Sequence, residues 1–309
     1  MMKTPIIIIA GPTASGKTAI GIELAKVFDG EIISADSMQI YKKLNINTAK
    51  ATPEEQAEVP HHMIDVVEPY EEFSVTDFKE RAEALIKDIS SRGKLPIIVG
   101  GTGMYIKALL TNYSYGKSLK NESIREKYNQ FLQDNGPEAL HQLLKNIDPI
   151  SASEIHPNNT KRVIRALEIY EETGRPKSEQ KDTPAESIYN DIMIVLDIPR
   201  DQLYERINQR VAKMINAGGV EEAKAVYNDF NLPNTAQCLQ AIGYKEFLPY
   251  LNNEATLNEV SNNLAQATRN YAKRQLTFFR SFKDAVWLNP LTQKDKIISY
   301  IKEKLNDNK

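Results

Sequence analysis

Residues 6–28 read IIIIAGPTASGKTAIGIELAKVF, and the order of residue types there decides the fold. Four isoleucines and an alanine form a short β-branched run that suits a strand buried on both faces. Gly11-Pro12-Thr13-Ala14-Ser15-Gly16-Lys17-Thr18 then matches G-x-x-x-x-G-K-[ST]. Ile20, Leu24 and Val27 follow at helical spacing. Strand, glycine loop and helix in this order make a phosphate cradle. The glycines let backbone N–H groups curl around an oligophosphate, the helix N-terminus adds partial positive charge, Lys17 neutralises oxygens, and the Thr18 hydroxyl can ligate Mg²⁺.

Outward from this stretch, β-branched runs at 31–34, 63–67 and 95–99 alternate with helical text at 17–28 and 75–92, the pattern of a parallel sheet with crossover helices. From about Thr111 strands vanish, and polar helical text is punctuated by Gly136-Pro137, Asp148-Pro149, His156-Pro157 and Gly174-Arg175-Pro176. Strand text resumes at 192–198 and 285–288. The expected architecture is α/β: a P-loop NTPase-like parallel sheet core formed by 1–111 and 191–309, closing around a helical insertion at 112–190.

The 309 residues carry 39 Lys+Arg against 41 Asp+Glu, a formal charge of −2. Any polyanion must therefore be met by local patches, not by a basic chain as a whole. One cysteine, Cys238, excludes an internal disulfide and a four-cysteine zinc site. No stretch approaches the roughly 18 apolar residues of a membrane helix, and the apolar start is too short for a signal-peptide core. A cytoplasmic protein without membrane association is expected.

A phosphate loop alone does not say what it holds, since kinases, GTPases and transferases all use one. The guanine-specifying N-K-x-D is absent. The stretch 192–197 reads as a buried strand ending in an acid. More informative is Asp36, just past the 31–34 strand, because carboxyl ends of strands in an open parallel sheet face the ligand crevice. A carboxylate there can bind Mg²⁺ through water or accept a proton, with Ser37 and Gln39 offering polar edges to a base.

Four blocks, GPTASGKT, ADSMQIY (35–41), PHHMIDV (60–66) and IIVGGTGMYIKALL (97–110), resemble in order and approximate spacing the tRNA dimethylallyltransferases, enzymes that prenylate an adenosine beside the anticodon. KRVIRALE (161–168), QAIGYKE (240–246) and ATRNYAKRQLTFFR (267–280) extend the resemblance over nearly the whole chain. A zinc-binding C-terminal extension like that of eukaryotic relatives is not expected, and the form resembled is the bacterial one.

The resemblance implies that the loop (Gly11, Thr13, Ala14, Ser15, Gly16, Lys17, Thr18) holds the diphosphate of dimethylallyl diphosphate with Mg²⁺ at Thr18. It implies that Thr13 and Arg210 contact this diphosphate and that Asp36 takes the amine proton. It implies tRNA contacts at Asp36, Ser37, Met38, Gln39, Lys161, Arg162, Arg165, Gln240, Gly243, Tyr244, Lys245, Arg269, Lys273 and Arg280, with a tRNA anticodon stem-loop as partner and a monomer as the working form.

Spacing speaks to part of this independently. Arg162 and Arg165 lie three apart, leaving Val163, Leu167 and Tyr170 for a core; Arg269, Lys273 and Arg280 share a helical face, in a stretch (260–283) with five basic residues and no acid. Lys161, Gln240 and Lys245 depart from residues common in the family. Adjacent His61 and His62 point apart and read as structural. The alternative reading is a P-loop small-molecule or nucleoside kinase, for which a helical lid and an acid after the second strand would look alike.

Overall fold

The computed structural model describes residues 3–111, 121–179, 187–233 and 235–307, in two compact units, Met1–Thr111 with Ser187–Lys309, and Asn112–Glu186. In chain order the first unit begins β1 (Pro5–Ala10), α1 (Lys17–Val27), β2 (Gly30–Ser34), α2 (Pro53–Glu58), β3 (His61–His62), α3 (Val75–Ser91), β4 (Leu95–Gly100) and α4 (Gly103–Leu110). The second holds α5 (Glu122–Ile147), α6 (Pro149–Glu154) and α7 (Thr160–Thr173). The chain then returns as β5 (Asn190–Leu196), α8 (Arg200–Asn216), α9 (Gly219–Phe230), α10 (Leu248–Leu251), α11 (Leu257–Phe279), β6 (Val286–Leu288) and α12 (Lys294–Asp307). Parts of the expected insertion, 112–120 and 180–186, lie outside the described residues. Residues 187–189 lead into β5 at Asn190.

The six strands are all parallel in the order β3-β2-β4-β1-β5-β6. The isoleucine run explains why β1 lies inside the sheet. Its side chains alternate between faces, so Ile6 and Ile8 enter one core with α3, α4, α9 and α11, while Ile7 and Ile9 enter another with α1 and α12. The order of strand addition reverses about β1: the crossover to β2 passes one way, and β5 is added on the other side. That is the topological switch point where open α/β sheets bind ligands.

Two expectations need correction. Residues 63–67 do not form a strand. β3 is only His61–His62, paired with Ile32 and Ile33, and the extended run breaks where Met63 (φ 62°) and Asp65 (φ 53°) turn left-handed. Lys50 Nζ holds the Asp65 carboxylate and Met63 is buried, so tertiary contacts override the β-branched text. Val27 does not share the buried face of α1; it is exposed, and Ile20, Ile22, Leu24 and Ala25 do the packing.

In the helical unit, α5 kinks at Gly136 (φ 83°) before Pro137. Its core joins Tyr128, Leu140 and Leu144 to Ala152, Ile155, Val163, Ile164 and Leu167. At its centre the fully buried Glu168 carboxylate accepts from Arg125 Nε and Nη2, Arg165 Nη1 and the Asn121 N–H at 2.7–3.0 Å.

Candidate active site

β1 runs straight into the glycine loop, and two arginines from α8 lie across it. Arg206 Nε donates to the Ala14 carbonyl at 2.9 Å, and Arg210 Nη1 donates to Thr13 Oγ1 at 2.9 Å. They are four residues apart and so share one helical face. Ala14 is left-handed (φ 63°) without being glycine, a conformation that the surroundings must hold. Lys17 Nζ donates to the Pro12 carbonyl at 2.7 Å. Burial pushes the Lys17 ammonium down to about 8, opposed by Asp36 and reinforced by Arg210. Arg210 is itself lowered by burial, with Asp36 pulling the other way. Gly11 and Ser15 are not on the cavity lining: Ser15 is buried and its Oγ lies behind the loop, where a Cβ on Gly11 would stand 3.1 Å from it.

Asp36 leaves the end of β2 and faces the same cleft. Its Oδ1 accepts the Met38 N–H at 2.9 Å, and the next N–H, Ser37, donates to Thr102 Oγ1 at 3.0 Å. Tyr271 of α11 lines the same cavity, and burial raises its phenol well above the ordinary range. Gln39 is committed to the protein: its Nε2 donates to the Thr48 and Ala49 carbonyls, and its Oε1 accepts from Ser34 Oγ.

Together these residues surround a cavity of about 580 Å³. Its lining holds six cationic side chains, Lys17, Arg206, Arg210, Lys213, Lys245 and Arg274, against one carboxylate, Asp36. Met38, Val211, Met214, Ala241 and Ile242 give it apolar wall. Polyanion and hydrocarbon can thus be held side by side around a single proton acceptor. Thr18 and Asp36 bring a hydroxyl and a carboxylate to this cavity. Mg²⁺ is commonly held by such a sparse hard-oxygen set, with waters and phosphate oxygens completing its shell.

The sequence-derived residues divide. Thr13, Ala14, Gly16, Lys17, Thr18, Asp36, Ser37, Met38, Gln39, Arg210, Gln240 and Lys245 line the cavity. Gly243 and Tyr244 do not: Tyr244 is fully buried and donates to Glu222 at 2.8 Å. Glu222 in turn accepts the N–H groups of Asn45, Ile46 and Asn47 at 2.7–3.0 Å, and Gly243, with φ 101°, leaves room for Asn47. These two residues shape the 45–49 wall and have no surface for RNA. Arg269 is off the cavity, bonded to Asn208 and Gln266; Lys273 is exposed on α11 and Arg280 just past its end. In the helical unit, Lys161 and Arg162 are exposed on α7, whereas Arg165 is bonded to Glu168.

Arg206, Arg274, Tyr271 and Gln275 were not foreseen. Arg206 could have been found from its i, i+4 relation to Arg210. The cavity face of α11 is Thr268, Tyr271, Arg274 and Gln275, on the opposite side of the helix from the basic face read from sequence.

The model of the IPP transferase family matches residues 39–282. A tRNA dimethylallyltransferase from Geobacillus thermodenitrificans is 48% identical over 303 residues, spanning 98% of this chain and 95% of the relative. One from Oceanobacillus iheyensis is 47% identical over 287 residues, 93% and 91%. Among solved structures, a tRNA isopentenylpyrophosphate transferase from Bacillus halodurans is similar with a TM-score of 0.74 at 43% identity, covering 99% of this chain and 98% of that one. A eukaryotic dimethylallyltransferase acting on tRNA reaches 0.80 at 32% identity, covering 94% and 76%.

Proposed function

The chain belongs to the IPP transferase family, and from that premise we infer that it is a tRNA dimethylallyltransferase of the bacterial form. The donor proposed is dimethylallyl diphosphate, and the acceptor is the exocyclic amine of the adenosine 3′ to the anticodon. The observation that carries the reading is the cavity's six cations around a phosphate loop, facing one carboxylate across an apolar wall.

In the reaction the allylic C–O bond breaks, a C–N bond forms, diphosphate leaves, and the amine proton passes to Asp36. Charge grows on the departing diphosphate, so Lys17, Arg206, Arg210, Thr13 and the loop amides bind it more strongly at the transition state than in the ground state. Met38, Val211, Met214 and Ile242 suit the prenyl chain and exclude water from an allylic centre that water would attack. Mg²⁺, held by Thr18 and, through water, by Asp36, would add positive charge at the leaving oxygens. The base must leave its stack to enter such a cavity. Basic residues on α7 and α11 are proposed to meet the stem-loop phosphates.

Among the described residues no helix is long and apolar enough to cross a membrane; a cytoplasmic monomer is proposed. A kinase would share the loop but must consume a nucleotide. Incubation with tRNA, Mg²⁺ and dimethylallyl diphosphate in nucleotide-free buffer, followed by mass spectrometry of the digested RNA, should yield a prenylated adenosine. A strict ATP requirement, or unmodified adenosine throughout, would refute the assignment.

A further inference from the structure

The phosphate loop follows β1 and the Asp36 segment follows β2, two strands separated in the sheet by β4. In-line displacement needs the leaving oxygen and the attacking nitrogen on opposite sides of one carbon. The two strand ends must therefore be held in register to within about half an ångström.

Helix α11 is bonded to the loop after β1 and to the end of β4, which in turn holds the segment after β2. Gln275, only 6% exposed, accepts the Thr13 N–H on Oε1 at 2.8 Å and donates from Nε2 to the Gly101 carbonyl, just past β4, at 2.9 Å. Gly101 is what allows this approach, since a Cβ there would stand 2.3 Å from Gln275 Nε2. Thr102, the next residue, ties this end of β4 to the Asp36 segment: its N–H donates to the Ala35 carbonyl at 3.1 Å and its Oγ1 accepts the Ser37 N–H at 3.0 Å.

The Thr13 N–H is a loop amide that an oligophosphate could recruit, yet here it is held by a neutral carboxamide. The Thr13 hydroxyl is meanwhile aligned with Arg210. Resting on the transferase reading above, we propose that Gln275 is a positioning residue for the transfer. Its carboxamide fixes the phosphate loop against the end of β4, so that Thr13 and Arg210 meet the leaving diphosphate in register with Asp36.

Gln275→Met keeps length and approximate volume but removes both hydrogen bonds. Gly101→Ala displaces the carboxamide while leaving Gln275 in the chain, and it decides the matter if the first variant does not fold. Each should lower kcat about 10- to 100-fold, leave the tRNA KM unchanged, and weaken binding of inorganic pyrophosphate measured by calorimetry. Because Gln275 acts through Thr13, adding Thr13→Ala to Gln275→Met should cost far less than it does in the wild type. A merely cementing role would lower the thermal midpoint with kcat and pyrophosphate affinity intact, or would give fully multiplicative losses; either result overturns the proposal. If wild-type protein transfers no prenyl group, the transferase reading fails by itself. Pyrophosphate affinity of the two variants then still decides whether Gln275 sets the loop, with unchanged affinity counting against it.

Discussion

Arginines in the two units meet opposite partners. Around the phosphate loop, Lys17, Arg206 and Arg210 donate to the Pro12 carbonyl, the Ala14 carbonyl and the Thr13 hydroxyl, neutral acceptors that fix each cation without cancelling its charge. In the helical unit, Arg125 and Arg165 both donate to Glu168. Burial would raise that carboxyl, but Arg125, Arg165 and the Asn121 N–H outweigh it and hold it below its ordinary value. Cations held by neutral oxygens remain available to an anionic substrate, whereas cations held by a buried carboxylate serve the fold.

The largest effect is expected where the substrate-facing group works alone. Asp36→Ala should reduce prenyl transfer by about 10²-fold or more, the usual scale for a general base, with the far-ultraviolet spectrum unchanged. Turnover near wild type in that variant would break the first half of the comparison. Glu168→Ala tests the second half, leaving two guanidinium groups around a vacated acceptor. It should destabilise the protein by about 3–5 kcal/mol in chemical denaturation, without altering pyrophosphate affinity. A fall in that affinity would show that Glu168 acts on the substrate after all.

The core unit has its own ion group of the fold-serving kind. Glu31 of β2, buried, receives both guanidinium nitrogens of Arg92 and faces His62 Nε2 at 2.8 Å. Hydrogen bonding from Arg92, opposed by burial and aided by His62, brings its carboxyl down to about 2 from 4.5. The folded value is depressed, so this stability is present above the unfolded pKa and is lost as pH falls from about 4.5 toward 2. Glu31→Gln should flatten that acid limb in unfolding curves and leave transfer at neutral pH untouched.

A smaller effect sharpens the contrast within one helix. Arg162 is exposed on α7 while Arg165 is bonded to Glu168. Arg162→Ala should reduce the log-log salt slope of tRNA binding by about one, whereas Arg165→Ala should act mainly on stability. Equal salt slopes for Arg162→Ala and wild type would remove Arg162 from the RNA surface.

Legibility from sequence followed the number of independent constraints on each stretch. The isoleucine run, the glycine loop and the helix after them each demand the same strand–loop–helix, so β1 to α1 and the place of Asp36 could be read directly. Residues 63–67 looked like strand because β-branched text cannot reveal that Lys50, thirteen residues before Met63, ties the chain into left-handed turns. Tyr244 belongs to a recognisable motif, yet only its burial against Glu222 shows that it shapes the wall. Gln275 left no local signal, since a buried glutamine in a basic helix looks like any solvated one until the helix phase is known.

Calorimetric titration of inorganic pyrophosphate and Mg²⁺ into wild type, Arg210→Gln and Arg165→Gln tests most directly whether a cation's partner reveals its task. Arg210→Gln should bind about tenfold or more weakly, the worth of one charge-assisted hydrogen bond, with its thermal midpoint little changed. Arg165→Gln should bind as wild type does and melt earlier. Pyrophosphate affinity lost in Arg165→Gln and kept in Arg210→Gln would contradict the account.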